Sequence, residues 1–177
     1  MEFRNLKGTH DLLPDDFKVW RQVEYQVHQI IQQYGYSEIR TPAFENTELF
    51  IRGIGTDTEI VNKEMFSWVD QGGNALTLKP ESTAPVVRAY IQHQLGNKLP
   101  IHRLYYFDTL FRRERPQKGR QRQFYQFGAE AIGSPNPEQD AEIIAMAYHI
   151  YKHFDIKEME VHLNSIGSLE IRPEYLQ

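Results

Sequence analysis

Six basic side chains crowd one short stretch near the middle of the sequence, and their chemistry suits a phosphorylated ligand. The six are Arg112, Arg113, Arg115, Lys118, Arg120 and Arg122. Guanidinium forks match phosphate oxygens two at a time and stay charged at any working pH. The whole chain carries a formal net charge of −4, so the positive charge is concentrated here. This pattern favours a local site for a nucleotide or a nucleic acid.

Two strand-like runs flank the basic stretch. Leu104–Phe111 and Gln123–Phe127 are rich in aromatic and branched residues. Between them, Arg113–Gln121 holds a proline and a glycine among charged residues, which predicts a loop joining two strands. A solvated hairpin tip could carry the same charges. The interleaved aromatic residues favour a site instead, because an aromatic face can stack on a base while arginines hold phosphates.

Elements on the N-terminal side must position this hairpin. Apolar residues at steps of mostly three and four predict a helix over Pro14–Gly35, with Asp15 or Asp16 as its cap and the glycine at its end. A short strand is predicted at Glu38–Thr41. The proline that follows this strand suits a sheet edge or a subunit boundary, because proline donates no ladder hydrogen bond.

A second hairpin and a second helix are predicted further along the chain. Glu64–Val69 and Ala75–Lys79 flank a loop with two glycines, which can take positive φ. A helix is then predicted over about Thr83–Leu95, with Ser82 or Thr83 as its cap. The glycine that follows is predicted to end it.

The last part of the chain completes the predicted fold class. Gly133–Pro137 reads as a turn, Glu138–Phe154 has helical spacing, and Met159–Asn164 is predicted to be a final strand. Strands in runs joined by long helices are typical of an α+β domain on an antiparallel sheet.

Bulk composition is that of one globular domain. The chain has 177 residues, of which 40% are hydrophobic and 25% charged, enough to bury one core of ordinary size. It has no apolar run long enough to span a bilayer, and its first residues lack a secretory signal. We therefore expect a cytoplasmic protein that does not associate with membranes.

The absence of cysteine limits the reactions and metal sites that the chain can support. It excludes a disulfide framework, thiol catalysis and thiolate metal sites, and the seven histidines show no HExxH pairing. We expect no structural zinc and assign no protein metal ligands.

Four segments of the sequence resemble the histidyl-tRNA synthetase family of class II aminoacyl-tRNA synthetases. FRRERPQKGRQRQFYQFGAEAIG, at Phe111–Gly133, resembles motif 2 of that family. KGTHDLLP at Lys7–Pro14, EIRTPAFENTELFIRGIG at Glu38–Gly55 and LTLKPESTAPVVRAY at Leu76–Tyr90 resemble it too, in the family's order. The resemblance implies a class II synthetase-like antiparallel sheet flanked by helices, in truncated form.

The resemblance also implies how the chain is organised. Residues 1–177 would be the N-terminal portion of the catalytic domain, with motifs 1 and 2. Motif 3, the later histidine-specific segment and the anticodon-binding domain have no counterpart here, so the likeness covers about the first two-fifths of a usual family member. We expect this portion alone to bind ATP and histidine weakly and to show little or no turnover.

The family's reaction implies roles for four side chains around ATP, which would bring Mg²⁺ with its phosphates. Arg112, the one residue assigned a catalytic role, would hold the α-phosphate and the histidine carboxylate. Glu114 would accept from the adenine amino group, Arg120 would hold the distal phosphates, and Phe124 would stack on the adenine ring. For Glu114, a surface ion pair with a neighbouring arginine is an open alternative. For Arg115 and Arg122 we favour such a surface ion pair, or a structural pairing at the strand edge.

Four further residues would select histidine: Glu81, Thr83, Gln126 and Glu130. Gln126 and Glu130 are four apart, which on a regular strand puts both on one face. A buried Glu130 paired with an arginine would look identical in sequence. Ser82 stands where the family commonly has glycine, and Tyr125 stands where other members often have histidine, so we assign Tyr125 no catalytic role.

The resemblance implies a histidine-tRNA ligase whose partners are histidine, ATP and tRNA(His). The helix over Pro14–Gly35, the strand at Glu38–Thr41 and Pro42 together resemble motif 1, which in this family forms the dimer interface. The resemblance thus implies a homodimer, although an ordinary helix packed on its own sheet would have the same sequence. Two other functions remain open. One is the regulatory paralogue of ATP phosphoribosyltransferase, which keeps the synthetase fold without charging tRNA. The other is a dimerising module without ligand.

Overall fold

The computed structural model describes residues 2–54 and 65–164. Its helices are α1 (Pro14–Gln33), α2 (Thr47–Ile54), α3 (Thr83–Gln92) and α4 (Pro137–His153), with a short 3₁₀ helix at Leu95–Asn97. Its strands are β1 (Ser37–Glu38), β2 (Phe44–Asn46), β3 (Ser67–Val69), β4 (Ala75–Leu78), β5 (His102–Phe111) and β6 (Gln123–Ile132). Within these described ranges, no helix has the length and apolar character needed to cross a membrane.

The strands form two small sheets that meet end to end. One has the order β1-β5-β6 and the other the order β2-β4-β3. A backbone hydrogen bond joins them: the Phe111 N–H of β5 donates to the Lys79 carbonyl, just after β4, at 3.0 Å. Most pairs are antiparallel, which confirms the predicted α+β class. β1 is the exception: it pairs parallel to β5, from which a long crossover separates it in sequence.

The β5–β6 hairpin has two different faces. Ten residue pairs are in antiparallel register, among them Tyr106 with Gly128 and Asp108 with Gln126. Alternate residues point to opposite sides of such a ladder. Tyr105 points to the side that we call the helix face, where it packs with residues of α1 and α4. The members of this core are Val27, Ile30, Ile31, Tyr36, Tyr105, Met146 and Ile150.

The opposite side is the site face. There Leu104 and Tyr106 of β5 pack against Val86 of α3, so α3 covers only part of the sheet. The predicted hairpin is confirmed, and both strands extend beyond the predicted bounds because their flanking residues join the ladder. α1 packs on the helix face of its own sheet, which is one of the two roles that its sequence left open. The other is a dimer interface.

Both ends of α1 depend on backbone geometry. Leu13 occupies the N-cap position, so the predicted cap at Asp15 or Asp16 is wrong. Asp16 acts from inside the first turn instead, where its carboxylate accepts the Leu13 N–H at 2.8 Å. At the other end, Gly35 has φ +79° just after the helix, as predicted for a terminal glycine.

α3 is shorter than predicted. Its N-cap is Ser82, one of the two predicted caps, although the hydroxyl makes no capping bond. The helix ends at Gln92 rather than near Leu95, because Gln94 takes a left-handed conformation with φ 50°. Gly96 therefore lies in the 3₁₀ helix and does not end α3.

The predicted strand at Met159–Asn164 is wrong. Residues 155–164 contain no strand, and none of the described strands pairs with them. A strand needs a neighbour for its backbone groups, and alternation in sequence does not supply one. The predicted hairpin around residues 70–74 is confirmed by β3 and β4, with Gly73 at φ +84°; Glu64, predicted to begin it, lies outside the described residues.

A polar cluster of two buried and two partly exposed side chains fixes α4 to the helix face. The Tyr36 hydroxyl donates to Glu142 at 3.2 Å and accepts from the Gln139 amide at 3.1 Å. Arg103 of β5 donates to both carboxylate oxygens of Glu142, at 3.0 and 3.3 Å. Burial, followed by the charge of Glu142, raises the pKa of Tyr36 to about 12. This cluster joins the loop before β1, β5 and α4 far from the site face.

We expect Tyr36→Phe to lower the free energy of unfolding by about 1 kcal/mol, because it removes two buried hydrogen bonds while Gln139 keeps its bond to Glu142. Urea unfolding followed by circular dichroism measures the change. Tyr25→Phe is the matched control, since Tyr25 is exposed. Equal stability of the two variants would show that the cluster contributes nothing measurable.

Candidate active site

The basic hairpin loop and the adjoining ends of β5 and β6 line an open cavity of about 280 Å³. Its lining residues are Arg112, Glu114, Gly119, Arg120, Gln121, Phe124 and Tyr125. All four side chains that the sequence assigns to ATP border this one cavity. Gln117 and Arg120 pair across the loop through backbone hydrogen bonds of 3.1 and 2.9 Å, which closes its tip.

Arg112 is held by neutral groups. Its Nε–H donates to the Pro80 carbonyl at 3.0 Å, and its guanidinium carbon lies 5.0 Å from the centroid of the Phe124 ring. Neither contact cancels the positive charge. Among the described residues, no carboxylate forms an ion pair with Arg112. The side chain is therefore oriented while its charge remains available to an anion.

Glu114 and Arg120 contact each other across the cavity. Their ion pair measures 3.2 Å, and the two side chains are 21% and 66% exposed. The sequence left open a surface ion pair of Glu114 with an adjacent arginine, but the partner in the structure is Arg120, six residues along the chain. An exposed pair of this kind contributes little to stability, so a ligand could displace it at small cost.

Arg122 supports the loop rather than the cavity. Its Nε–H donates to the Glu114 carbonyl at 3.3 Å, and a terminal N–H donates to the Lys7 carbonyl at 3.4 Å. Its backbone N–H donates to the Gly8 carbonyl at 2.7 Å. Gly8 has φ +88°, and a Cβ there would lie 2.8 Å from the Arg122 Cγ, so glycine is required. The N-terminal segment thus anchors the loop, a role that its sequence did not indicate.

A second polar group lies further along the site face. The Thr83 hydroxyl donates to Glu130 at 2.7 Å, and the Tyr106 side chain lies close to Thr83, Gln126 and Glu130. The register places Gln126 and Glu130 on one face, as their spacing predicts. Three of the four residues assigned to histidine therefore meet around Tyr106. In the described part of the chain, no arginine pairs with Glu130.

Glu81, the fourth of these residues, caps a helix. Its carboxylate oxygens accept the Ala84 N–H at 3.1 and 3.3 Å, in the first turn of α3. Its charge also reaches Glu130. Burial raises the pKa of Glu130, and the nearby charge of Glu81 raises it further, although the hydrogen bond from Thr83 opposes both. The site thus holds two neighbouring carboxylates, an arrangement that favours a cationic ligand.

Tyr106 is a site residue that the sequence analysis missed. It is nearly fully buried, and burial together with the charge of Glu130 raises the pKa of Tyr106 to about 12. A Cβ at Gly128 would overlap its hydroxyl, so the ring fits because its cross-strand partner is glycine. That glycine, midway between Gln126 and Glu130, was the available signal, since glycine inside a strand often marks a close approach.

Tyr125 borders the cavity but belongs to the opposite face. Its ring packs against Trp20 of α1, with centroids 4.7 Å apart. This packing gives Tyr125 a structural role.

The described residues contain no group of three or more His, Cys, Asp or Glu side chains that could hold a metal ion.

Comparison with known proteins identifies the family. The family model described as histidyl-tRNA synthetase matches residues 8–171. The chain belongs to the histidyl-tRNA synthetase family. It is 51% identical to a histidine–tRNA ligase of Solibacter usitatus over 97% of its length, and 49% identical to one of Syntrophotalea carbinolica over its whole length. It spans 42% of each of these two curated relatives.

Solved structures agree with this assignment. Apo histidyl-tRNA synthetase of Staphylococcus aureus superposes with a TM-score of 0.81 at 41% identity, over 98% of this chain and 40% of that one. A structure from Bacillus halodurans C, described as an ATP phosphoribosyltransferase regulatory subunit/histidyl-tRNA synthetase, has a TM-score of 0.75 at 28% identity over 89% of this chain. The first likeness confirms that the chain has the synthetase fold expected from its motifs.

Glu130→Gln should stabilise the ligand-free chain at about pH 7. The raised pKa means that the folded state favours protonated Glu130. The stability that this protonation adds is fully present below the ordinary pKa of 4.5 and is lost as the pH rises through the pKa of the folded state. Glutamine stays neutral and still accepts the Thr83 hydrogen bond. Urea unfolding across this pH range should therefore show a gain for the variant that disappears under acidic conditions.

Glu158→Gln is the control for this measurement, because Glu158 is an exposed carboxylate remote from the site face. It removes the same charge and should leave the pH profile unchanged. If stability depends on pH in the same way in Glu130→Gln and in the control, burial and the charge of Glu81 do not disfavour the ionised form of Glu130.

Proposed function

We propose that this chain is the N-terminal portion of the catalytic domain of a histidine-tRNA ligase, and that its site face binds ATP beside histidine. One observation carries the proposal. Arg112, Glu114, Arg120 and Phe124 line a single cavity, and a pair of carboxylates lies further along the same sheet face. The chain spans about two-fifths of its curated relatives, so the complete activity is a proposal about the longer protein.

The proposed reaction needs positioned charge more than acid–base chemistry. The histidine carboxylate attacks the α-phosphorus of ATP, pyrophosphate leaves, and the adenylate passes histidine to the 3′ end of tRNA. Such transfers are accelerated by alignment and by neutralising charge on the phosphoryl oxygens. Arg112 suits this role because it is oriented by Pro80 and Phe124 without losing its charge.

The remainder of ATP fits around this arginine. Phe124 would stack on adenine, Glu114 would accept from its amino group, and Arg120 would hold the distal phosphates of a bent nucleotide. These roles require the Glu114–Arg120 ion pair to open on binding. Mg²⁺ would be held mainly by the phosphates.

Histidine would bind where Thr83, Gln126 and Glu130 meet. Glu130 would accept from the imidazole N–H, Gln126 and Glu81 would lie near the α-amino group, and the Thr83 hydroxyl would complete the pocket. Support comes from the lack of a neutralising cation at Glu130 in the described chain. Two carboxylates without a protein counter-ion suit a ligand that brings a positive amino group.

We also propose that the longer protein is a cytoplasmic homodimer that acts on tRNA(His), with the dimer formed through the motif 1 region. Exposed apolar side chains in and beside that region support the dimer. Phe17 and Val19 of α1 are exposed, and so is Phe44 of β2.

A regulatory paralogue of ATP phosphoribosyltransferase is the second candidate, favoured by the likeness to the Bacillus halodurans structure. It would keep the fold and form no adenylate. The complete set of charged side chains around the cavity favours the ligase, because a regulator does not need a phosphate clamp. Histidine-dependent exchange of pyrophosphate into ATP, in the full-length protein that contains residues 1–177, separates the two.

Arg112→Ala should weaken ATP binding at the proposed site. In a nitrogen–proton correlation titration of the 177-residue chain, ATP should shift the amides of residues 112–124 in the wild type, and affinity should fall on the order of tenfold or more in the variant. In the full-length enzyme, adenylate formation should fall by roughly 10²–10³. Arg115→Ala is the matched control: it removes one exposed positive charge from the same loop.

Two results would overturn this proposal. One is an ATP-induced shift pattern centred away from the loop. The other is an equal loss of affinity in the Arg112 and Arg115 variants, which would show that the loop attracts anions only through its total charge.

A further inference from the structure

A buried ion pair lies beneath the loop that joins β4 to α3. Lys79 is only 1% exposed, and its ammonium donates to Asp108 Oδ2 at 2.6 Å. Ser82 is also 1% exposed, and its hydroxyl donates to the same oxygen at 2.8 Å. Thr41 adds its carbonyl at 3.1 Å and its hydroxyl at 3.3 Å from the Lys79 ammonium. We refer to these four residues as the Asp108 cluster.

The loop above this cluster carries three groups of the site. The Pro80 carbonyl orients Arg112, Glu81 places its charge beside Glu130, and the Thr83 hydroxyl binds Glu130. Lys79 and Ser82 bracket Pro80 and Glu81 in sequence, and one oxygen of Asp108 binds both of these flanking residues. Asp108 therefore fixes both ends of the segment that holds Arg112.

The desolvation cost of a buried ion pair suggests that the cluster does more than stabilise the fold. Removing a lysine and an aspartate from water is costly, and well-packed apolar residues of similar size often stabilise a core equally well. What an ion pair adds is direction, because its hydrogen bonds are satisfied in only one arrangement of the loop. The cluster lies directly below the site: Asp108 is the cross-strand partner of Gln126.

We propose that Asp108 is a positioning residue for amino acid activation, which holds the 79–82 loop so that the Pro80 carbonyl keeps Arg112 aligned. Ser82 is the residue through which the loop is held at its second end. This inference rests on the proposed function for its consequence in catalysis. Its structural step, from Asp108 to the orientation of Arg112, can be tested without any ligand.

The ligand-free test follows the Arg112 Nε–H proton by NMR. Its bond to Pro80 should protect it from exchange with water in the wild type. Asp108→Asn leaves the Lys79 charge without its partner, so exchange should accelerate by about tenfold or more. Ser82→Ala removes only the hydroxyl bond, keeps the ion pair, and should give an increase of about threefold. The second variant keeps the test valid if the first fails to fold.

Tyr36→Phe is the structural control. It weakens the polar cluster on the helix face and should lower stability without changing exchange at Arg112. A purely structural role for Asp108 predicts that exchange follows the loss of stability in all three variants alike. If the Arg112 Nε–H proton exchanges at the wild-type rate in both the Ser82→Ala variant and the Asp108→Asn variant, the inference is overturned.

Ligand titrations then separate this inference from the proposed function. Histidine and ATP affinities of the 177-residue chain should both fall in Asp108→Asn, on the order of tenfold, and should be unchanged in Tyr36→Phe. If the wild type binds and only Arg112→Ala loses binding, the positioning role is wrong while the proposed function stands. If the wild type binds neither ligand, the proposed function fails, and the exchange measurement alone decides whether Asp108 orients Arg112.

Discussion

The antiparallel ladder between β5 and β6 is the interaction on which the rest of the structure depends. Its ten residue pairs alternate between a helix face and a site face, so every second side chain is committed to packing and every other one to the site. A slip of β6 by one residue would turn Gln126 and Glu130 towards the helix face and Tyr125 towards the site face. The aromatic core under α1 and α4 opposes such a slip, because it buries Tyr105 and packs Trp20 against Tyr125. The same packing that stabilises the domain thus decides which residues can meet a ligand.

Sequence predicted those parts of the fold and site whose residues are close together in the chain. The hairpin spans residues 102–132 and the cavity is lined by residues between Arg112 and Tyr125, so spacing and residue type carry the information. The Asp108 cluster was not predicted, because its contacts join residues 26, 29 and 38 positions apart and no local pattern announces them. The strand expected at Met159–Asn164 failed for the converse reason: its alternation is local, but a strand exists only where another strand accepts its hydrogen bonds. Tyr106 was missed because a buried tyrosine in a strand reads as core.

The site face treats its positive charges in two different ways. Lys79 is buried and neutralised by Asp108, whereas Arg112 is oriented by a carbonyl and an aromatic ring that leave its charge intact. The first arrangement fixes the backbone of the loop, and the second keeps a cation ready for an anion. Glu130 is the acidic counterpart of Arg112, since the Thr83 hydroxyl holds it and, among the described residues, no cation pairs with it. Hydrogen bonds from neutral groups thus orient both charged ends of the proposed site without satisfying them.

This arrangement implies that one part of a nucleotide would meet side chains already in place, whereas the rest would meet side chains that must first move. Arg112 is already held at Pro80, so a phosphate there needs no rearrangement of the protein. Glu114 and Arg120, in contrast, occupy each other, and each can serve the nucleotide only after their exposed ion pair opens. Because such a pair contributes little, its opening costs little, and the loop can close on a ligand without loss of the fold. Rigid placement is therefore confined to the point where bonds would change, and adaptable contacts lie where the nucleotide is only gripped.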